Sequence, residues 1–107
     1  MSSTLEFLEI WLRGLANKDS TELENLLTDD FERVTRHATM NKQEALDWTA
    51  SGGPSPHMDS IEMLYENDDV GVGTHTGQSN NGKSLQMFFA RKRSEQFCQL
   101  VLVRQPM

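Results

Sequence analysis

The sequence predicts an α+β fold in which helices and strands occupy separate parts of the chain. Residues 4–17 have the spacing of an amphipathic helix, with leucines three or four positions apart. Residues 58–104 instead alternate in segments separated by turn signals, which is typical of strands joined by hairpins. The sheet is therefore expected to be mostly antiparallel. The chain has 107 residues, the length of one domain, so we expect 1–107 to form a single domain.

Two helices are predicted before the first strand. Ser3 or Thr4 is placed to cap the first of them. A second, short helix is expected at about 20–27, because Asp19 and Glu22 have the spacing of a capping box.

A third helix is predicted to run from Asn41 to about Ser51. Asn41 and Glu44 form another capping-box pattern, and a Gly-Gly-Pro sequence ends the helix. Residues 52–57 are the loop with the most flexible composition, and we interpret them as a lip or lid.

Residues 31–37 predict an isolated strand between the second and third helices. This strand is polar for a core element, which indicates either an edge strand or a strand with one face in a wet cavity. Alternation places four side chains on one of its faces: Phe31, Arg33, Thr35 and His37.

Four further strands are predicted at 58–66, 70–76, 85–91 and 97–104. The Asn80-Asn81-Gly82 sequence is typical of a tight hairpin turn. In the second of these strands Gly71, Gly73 and His75 share a face. The missing side chains there leave room for a ligand or for a packed helix.

The last two strands carry apolar side chains on both faces. Phe88 and Met87 point in opposite directions, as do Val101 and Leu102. A sheet with one wet face would alternate apolar and polar residues, so both faces are expected to be covered. Three helices suffice for one face. We infer a homodimer packed through the other, with coverage by loops or chain ends as the alternative.

The composition excludes several classes of function. The net charge is −6, from 16 acidic and 10 basic residues, which disfavours nucleic acid or an anionic membrane as partner. One cysteine rules out a disulfide framework within the chain, and Cys98 is interpreted as a small core residue. Without a glycine-rich phosphate loop or metal-ligand spacing among the histidines, we expect no cofactor and no metal. No signal peptide or long apolar run is present, so a cytoplasmic protein is expected.

Two short motifs carry a resemblance to a known family. They are Ala16-Asn17-Lys18-Asp19 at the end of the first helix and 26–31, Leu-Leu-Thr-Asp-Asp-Phe, at the entry to the first strand. With the order of elements, they make the chain similar to the nuclear transport factor 2-like superfamily, which includes SnoaL-like cyclases and ketosteroid isomerases. Lys18 stands where glycine is usual. The resemblance implies a cone, with a strongly curved sheet wrapped on the helices, a pocket at the wide end and a dimer across the outer sheet face.

The resemblance also implies where catalytic residues would lie. The isomerases use a tyrosine on the first helix, an aspartate base on the first strand and a second acid. The matching positions here are Trp11, Thr35 and the neighbourhood of Phe89. An indole is not the hydroxyl donor that an enolate needs, and a threonine hydroxyl is not a general base near neutral pH. The resemblance thus implies the family's pocket without its catalytic set.

We therefore expect the chain to bind a small, partly apolar molecule in the pocket of the cone, with no evident catalysis. Two other classes stay open. One is a SnoaL-like isomerase, cyclase or dehydratase that uses His75 or His37 with Arg33 as a cationic corner. The other is a protein-interaction module of the same fold. The side chains expected to line the pocket are Trp11, Phe31, Arg33, Thr35, Trp48 and His75.

Overall fold

The computed structural model describes residues 3–52, 57–79 and 82–106. Over these ranges three helices pack against one six-stranded sheet, which confirms the α+β prediction. The elements are α1 (Thr4–Asn17), α2 (Thr21–Glu24), β1 (Leu27–Val34), β2 (Thr39–Asn41), α3 (Lys42–Ala50), β3 (His57–Glu66), β4 (Val70–Ser79), β5 (Gly82–Arg93) and β6 (Gln96–Pro106).

The strand order across the sheet is β2-β1-β6-β5-β4-β3. The last four strands form consecutive antiparallel pairs, as their hairpin connections require. β1 joins this meander by pairing in parallel with β6, and β2 pairs antiparallel with β1. The prediction of a mostly antiparallel sheet is therefore confirmed, with one parallel pair added. β2 was not predicted, because three residues are too few to show an alternation.

The core lies between α1 and the inner face of the sheet. Phe7 stacks on Phe97 with ring centroids 4.0 Å apart, and its ring meets Phe31 edge-on at 6.5 Å. All three side chains are at most 1% exposed. Each buried side chain of this size contributes roughly 1.5–3 kcal/mol relative to an exposed one, so this cluster holds α1 on the sheet.

The strand register defines the two faces of the sheet. Gly71, Ala90, Leu100 and Arg33 form one cross-strand row on the inner face. The outer face carries residues such as Met87 and Val103, which are 47% and 60% exposed. The prediction that the last two strands are apolar on both faces is confirmed.

The helix caps agree with the sequence for α1 and α3. The Ser3 hydroxyl accepts from the amide of Glu6 at 3.1 Å. Asn41 and Glu44 form a complete capping box, with reciprocal bonds of 2.8 and 3.1 Å. Both helices therefore begin where the sequence places them.

The prediction for the second helix was wrong in length and in its cap. The helix ends at Glu24, because Leu27 already pairs with β6 as the first residue of β1. Asp19 accepts from the amide of Thr21 at 2.9 Å, but Glu22 does not complete a capping box. Its carboxylate instead accepts two bonds from Arg13, at 3.0 and 2.8 Å.

The first strand is also displaced from its predicted range. It ends at Val34 rather than His37, because Thr35 turns the chain towards β2. The predicted turn residues Asn80 and Asn81, and residues 53–56 of the loop predicted as a lip, lie outside the described residues.

The start of α1 is fixed to the sheet by a partly buried ion pair. The amide of Thr4 donates to Oε2 of Glu66 at 2.7 Å, and Lys92 Nζ donates to the same oxygen at 3.1 Å. Burial by itself would raise the pKa of the Glu66 carboxyl, but the contacts with Thr4 and Lys92 prevail and hold this pKa below its usual value. A carboxylate at this position also complements the positive end of the helix dipole.

Gly71 is the point of closest approach between α1 and the sheet. A Cβ at this position would collide with the Thr4 hydroxyl, lie 2.8 Å from Thr4 Cβ and lie 3.0 Å from Glu66 Oε2. Gly71 does not have a positive φ, so its absent side chain serves the contact and not the backbone.

We expect Gly71→Ala to lower the free energy of unfolding by about 1–3 kcal/mol, because the added methyl group overpacks a filled contact. Chemical denaturation monitored by tryptophan fluorescence measures the loss. The double variant with Thr4→Ala is the control, since removing the hydroxyl relieves the closest of these contacts and the two changes should be less than additive. An unchanged midpoint for Gly71→Ala would contradict this account of the contact.

Candidate functional site

An aromatic cluster lies where α1, α3 and β1 meet on the inner face. Trp11 from α1 lies 5.9 Å from the ring of Phe31, measured between centroids. Trp48 from α3 meets Trp11 edge-on at 6.3 Å. The structure therefore brings together three of the residues predicted to line the pocket.

Arg33 joins this cluster from β1. Its neighbours Glu32 and Val34 pair with residues of the outer face, so Arg33 points to the inner face beside Leu100. The guanidinium carbon lies 5.1 Å from the ring centroid of Trp48, a cation–π contact. The side chain is half-buried, and burial lowers the pKa of the guanidinium.

Trp11 contributes a polar atom that has no partner. The side chain is 5% exposed, and its Nε1 makes no hydrogen bond among the described residues. An indole nitrogen is a donor only, so the missing partner is an acceptor. A buried donor left unpaired costs about 1–3 kcal/mol.

His75 supplies a second unpaired polar atom, on β4. The side chain is 3% exposed, lies 6.1 Å from the ring of Phe88, and has no partner for Nδ1. Burial lowers the pKa of His75 below its usual 6.5, although the backbone of Thr76 and the side chain of Gln86 act in the opposite direction. The imidazole is therefore neutral at pH 7.

The two glycines beside His75 do not leave an open space for a ligand. Gly71 receives Thr4 of α1, and a Cβ on Gly73 would lie 2.5 Å from Cζ of Phe88. The sequence left two alternatives for this space, a ligand or a packed helix. At Gly71 the space is filled by the packed helix α1, and at Gly73 it is filled by the ring of Phe88.

Thr35 and His37 lie in the turn between β1 and β2. The Thr35 hydroxyl donates to the carbonyl of Ala38 at 3.1 Å and accepts from the amides of Ala38 and His37 at 3.2 and 3.4 Å. The His37 side chain is exposed. At the position of the family's general base, this chain thus has a hydroxyl that stabilises a turn.

Arg33 and His75 share the inner face, but no described contact joins them. The cross-strand row that contains Arg33 reaches β4 at Gly71, which is four residues from His75. Two strands, β6 and β5, lie between β1 and β4. On a flat sheet these offsets are about 13 Å along the strands and about 14 Å across them. The predicted cationic corner therefore divides into a cluster at Arg33 and Trp48 and a separate environment at His75.

Sequence reasoning did not single out Gln86, the cross-strand partner of His75. A signal was available, because the turn predicted at Asn80 and Asn81 implies which residues face each other across the hairpin. Ser79 pairs with Gly82, and counting outwards from that pair places His75 opposite Gln86.

A polar groove of about 400 Å³ lies elsewhere, between α2 and the start of α3. Lys42 Nζ lies 3.6 Å from Asp29 within it. None of the predicted site residues lines this groove, whose walls are Glu24, Asp29, Asn41, Lys42, Gln43 and Leu46.

The part of the chain that the structure describes contains neither a group of metal-ligating side chains nor a membrane-spanning helix. No three side chains of histidine, cysteine, aspartate or glutamate are grouped there to hold a metal ion. No helix there has the length and apolar character to cross a bilayer.

Several solved structures have a similar fold. A protein from Sphaerobacter thermophilus has a TM-score of 0.80 and 8% identity, with 100% of both chains covered. A nuclear transport factor 2-like protein from Anabaena variabilis has a TM-score of 0.73 and 16% identity, covering 100% of this chain and 96% of that one. A protein from Catenulispora acidiphila with a ketosteroid isomerase-like fold, in complex with trimethylamine, has a TM-score of 0.64 and 16% identity, covering 94% and 85%.

These similarities establish the fold. The chain has the nuclear transport factor 2-like fold, which confirms the resemblance drawn from its sequence. No protein-family model matches the sequence, and no curated protein does. Because the identities are low, the similarity extends to architecture and not to activity.

We expect the stability of the protein to fall as the pH is lowered through the range in which unfolded histidine takes up a proton. The unfolded chain binds that proton near pH 6.5, while the folded chain binds it at a lower pH because His75 is buried. Urea denaturation between about pH 5 and 7 measures the loss, and His75→Gln should reduce the slope. His37→Gln, at an exposed histidine, is the matched control. Equal slopes for wild type and His75→Gln would refute the assignment.

Proposed function

We propose that this protein binds a small, partly apolar molecule between the inner face of the sheet and the helices α1 and α3. The observation that carries the proposal is the pair of buried polar atoms without partners, Trp11 Nε1 and His75 Nδ1. Each costs about 1–3 kcal/mol, a large share of the roughly 5–15 kcal/mol that stabilises a typical domain. A ligand that supplies an acceptor to Trp11 Nε1 recovers the first of these costs, while His75 Nδ1 lies in a separate environment beside Phe88.

The surroundings favour a molecule with an apolar body. Phe31, Trp11 and Trp48 form an aromatic cluster around the unpaired Nε1 of Trp11. The neighbour from Catenulispora acidiphila is in complex with a small organic molecule, trimethylamine. That complex supports small-molecule binding by this fold, while the chemistry of the ligand depends on the side chains of each chain.

Catalysis is the second candidate function, and His75 is the observation that favours it. A buried, neutral histidine can act as a general acid or base if a second polar group converges on the same atom of the substrate. Here the Thr35 hydroxyl is hydrogen-bonded within its own turn, and the Arg33 guanidinium lies over Trp48 in a different row of the sheet. Neither group is therefore a partner for His75. Binding is therefore the better supported function, and loss of turnover in His75→Gln would be the sign of an isomerase, cyclase or dehydratase.

We expect ligands of this site to raise the melting temperature, because they bind only the folded chain. A panel of aromatic fragments in neutral, anionic and cationic forms is screened by thermal shift, and hits are followed through the indole N–H resonance of Trp11. Trp11→Phe should weaken the hits, since it removes the donor and keeps an aromatic ring.

Arg13→Gln is the control for this screen, because Arg13 lies on the exposed face of α1 and is paired with Glu22. If no fragment shifts the melting temperature and the Trp11 resonance stays fixed throughout, the proposed binding function is wrong. A protein that binds none of these small molecules but binds a partner protein through its outer surface would then be the protein-interaction module.

We also propose that the protein forms a homodimer through the outer face of the sheet. One cross-strand row on this face runs through five strands with an apolar or aromatic side chain at each position: Tyr65, Val72, Phe89, Val101 and Val34. Met87 and Val103 pair in the next row and are largely exposed in the protomer. A contiguous apolar surface of this kind is typical of an interface between subunits.

We further propose that the protein is cytoplasmic. The single cysteine, Cys98, is buried and unpaired, which is compatible with a reducing compartment.

We expect wild type to sediment at twice the protomer mass of 12.2 kDa and Val103→Glu to sediment as a monomer, because burying a carboxylate in an apolar interface is unfavourable. Analytical ultracentrifugation measures both. Leu5→Glu is the matched control, since Leu5 is an exposed leucine on α1, away from the outer face. A wild-type chain that stays at 12.2 kDa at high concentration would contradict the dimer.

A further inference from the structure

Arg33 differs from the other basic residues of the described chain. Four of them are held in ion pairs with carboxylates: Arg13, Lys42, Lys92 and Arg93. Five more have no such pair but are exposed to solvent: Lys18, Arg36, Lys83, Arg91 and Arg104. Arg33 alone among the described basic residues is partly buried and has no carboxylate within 4.0 Å.

A charge in this position is unfavourable for the protein by itself. A partly buried guanidinium loses hydration, and the contact with the ring of Trp48 offsets only part of that loss. The chain has 16 acidic residues, so a carboxylate partner would be easy to provide. Among the described residues no carboxylate fills this role, which leaves the position open to a counter-ion from outside the chain.

A second unpaired donor belongs to Trp11, the other tryptophan of the cluster. The Trp11 ring contacts Trp48 at 6.3 Å, and its buried Nε1 has no acceptor. Neither an indole nor a guanidinium can accept a hydrogen bond. A molecule that satisfies both groups must therefore bring acceptors, and one that neutralises Arg33 must bring negative charge.

We propose that the molecule bound in this interior is a small organic carboxylate, with its carboxylate on the guanidinium of Arg33 and its apolar part against Trp11 and Trp48. The inference rests on the proposed function and names the chemical class of its ligand. A planar carboxylate matches the two parallel donors of a guanidinium. Phosphate sites instead collect several cations or backbone amides, and the described residues place one guanidinium and one indole here.

The same geometry disfavours an amine. An amine would need an aromatic face, but the guanidinium of Arg33 already lies over Trp48 and would repel a second cation. The proposed ligand is therefore of a different chemical class from the trimethylamine in the complex of the Catenulispora acidiphila protein. The overall charge of −6 repels anions at long range, so recognition depends on the local pair of donors.

The test uses four probes with one ring and different head groups: phenylacetate, phenylacetamide, phenethylamine and phenyl phosphate. Titration calorimetry on the intact chain should show phenylacetate binding most tightly, with the amide and the amine weaker by about tenfold or more. Arg33→Met should weaken phenylacetate by about tenfold or more and leave the amide unchanged. Arg36→Met removes the same charge at an exposed position and should change nothing.

Each other outcome overturns the inference in a distinguishable way. Equal binding of the amide and the carboxylate, or an unaffected Arg33→Met, refutes the carboxylate and leaves the binding function standing. Tighter binding of phenyl phosphate assigns the site to a phosphate. Binding of none of the probes by wild type contradicts the carboxylate and the proposed function together.

A measurement without ligand separates a binding role from a structural one. If the counter-ion of Arg33 is supplied by the ligand, Arg33→Met should be at least as stable in urea as the wild-type protein without ligand. The substitution removes an unpaired charge and roughly keeps the side-chain volume. A lower free energy of unfolding for Arg33→Met would show that the guanidinium stabilises the fold and would overturn the proposal.

Discussion

The seating of α1 on the sheet is the contact on which the remaining geometry depends. Phe7 stacks on Phe97 at 4.0 Å, while the first amide of the helix donates to Glu66. Gly71 permits this approach because it has no side chain to hold the helix away. A helix is rigid over two turns, so these contacts near its start also determine where Trp11 lies. The aromatic cluster of the candidate site is therefore a consequence of how the first helix packs.

Local patterns in the sequence predicted most of the fold. The periodicity of α1 and the caps at Ser3 and Asn41 depend on neighbouring residues, and the structure has them as predicted. The four strands after α3 also depend on alternation and turns. The second helix was overextended because Leu27 has helical spacing but pairs with Phe97 in the parallel contact of β1 with β6. A contact between residues so distant in sequence leaves no local signal.

The candidate site was predictable one strand at a time but not as an arrangement. Alternation placed Arg33 and His75 on faces that turn out to be the same inner face. Their separation depends on the strand order, since β6 and β5 are inserted between β1 and β4. Thr35 was expected to continue the alternation, but its hydroxyl bonds to three backbone groups and turns the chain. The Thr35 hydroxyl competes with the next strand for these backbone groups, and the alternation of apolar and polar residues does not predict which of the two will bind them.

The parallel pairing of β1 with β6 has a consequence for how the protein is made. Leu27 meets Phe97, seventy residues later, so the surface on which Phe7 of α1 packs stays incomplete until β6 has left the ribosome. Closing a loop of that length costs on the order of 4 kcal/mol of chain entropy before any contact compensates for it. During synthesis the nascent chain therefore exposes aromatic side chains until β6 pairs with β1. In that period the chain is open to chaperone binding and to aggregation.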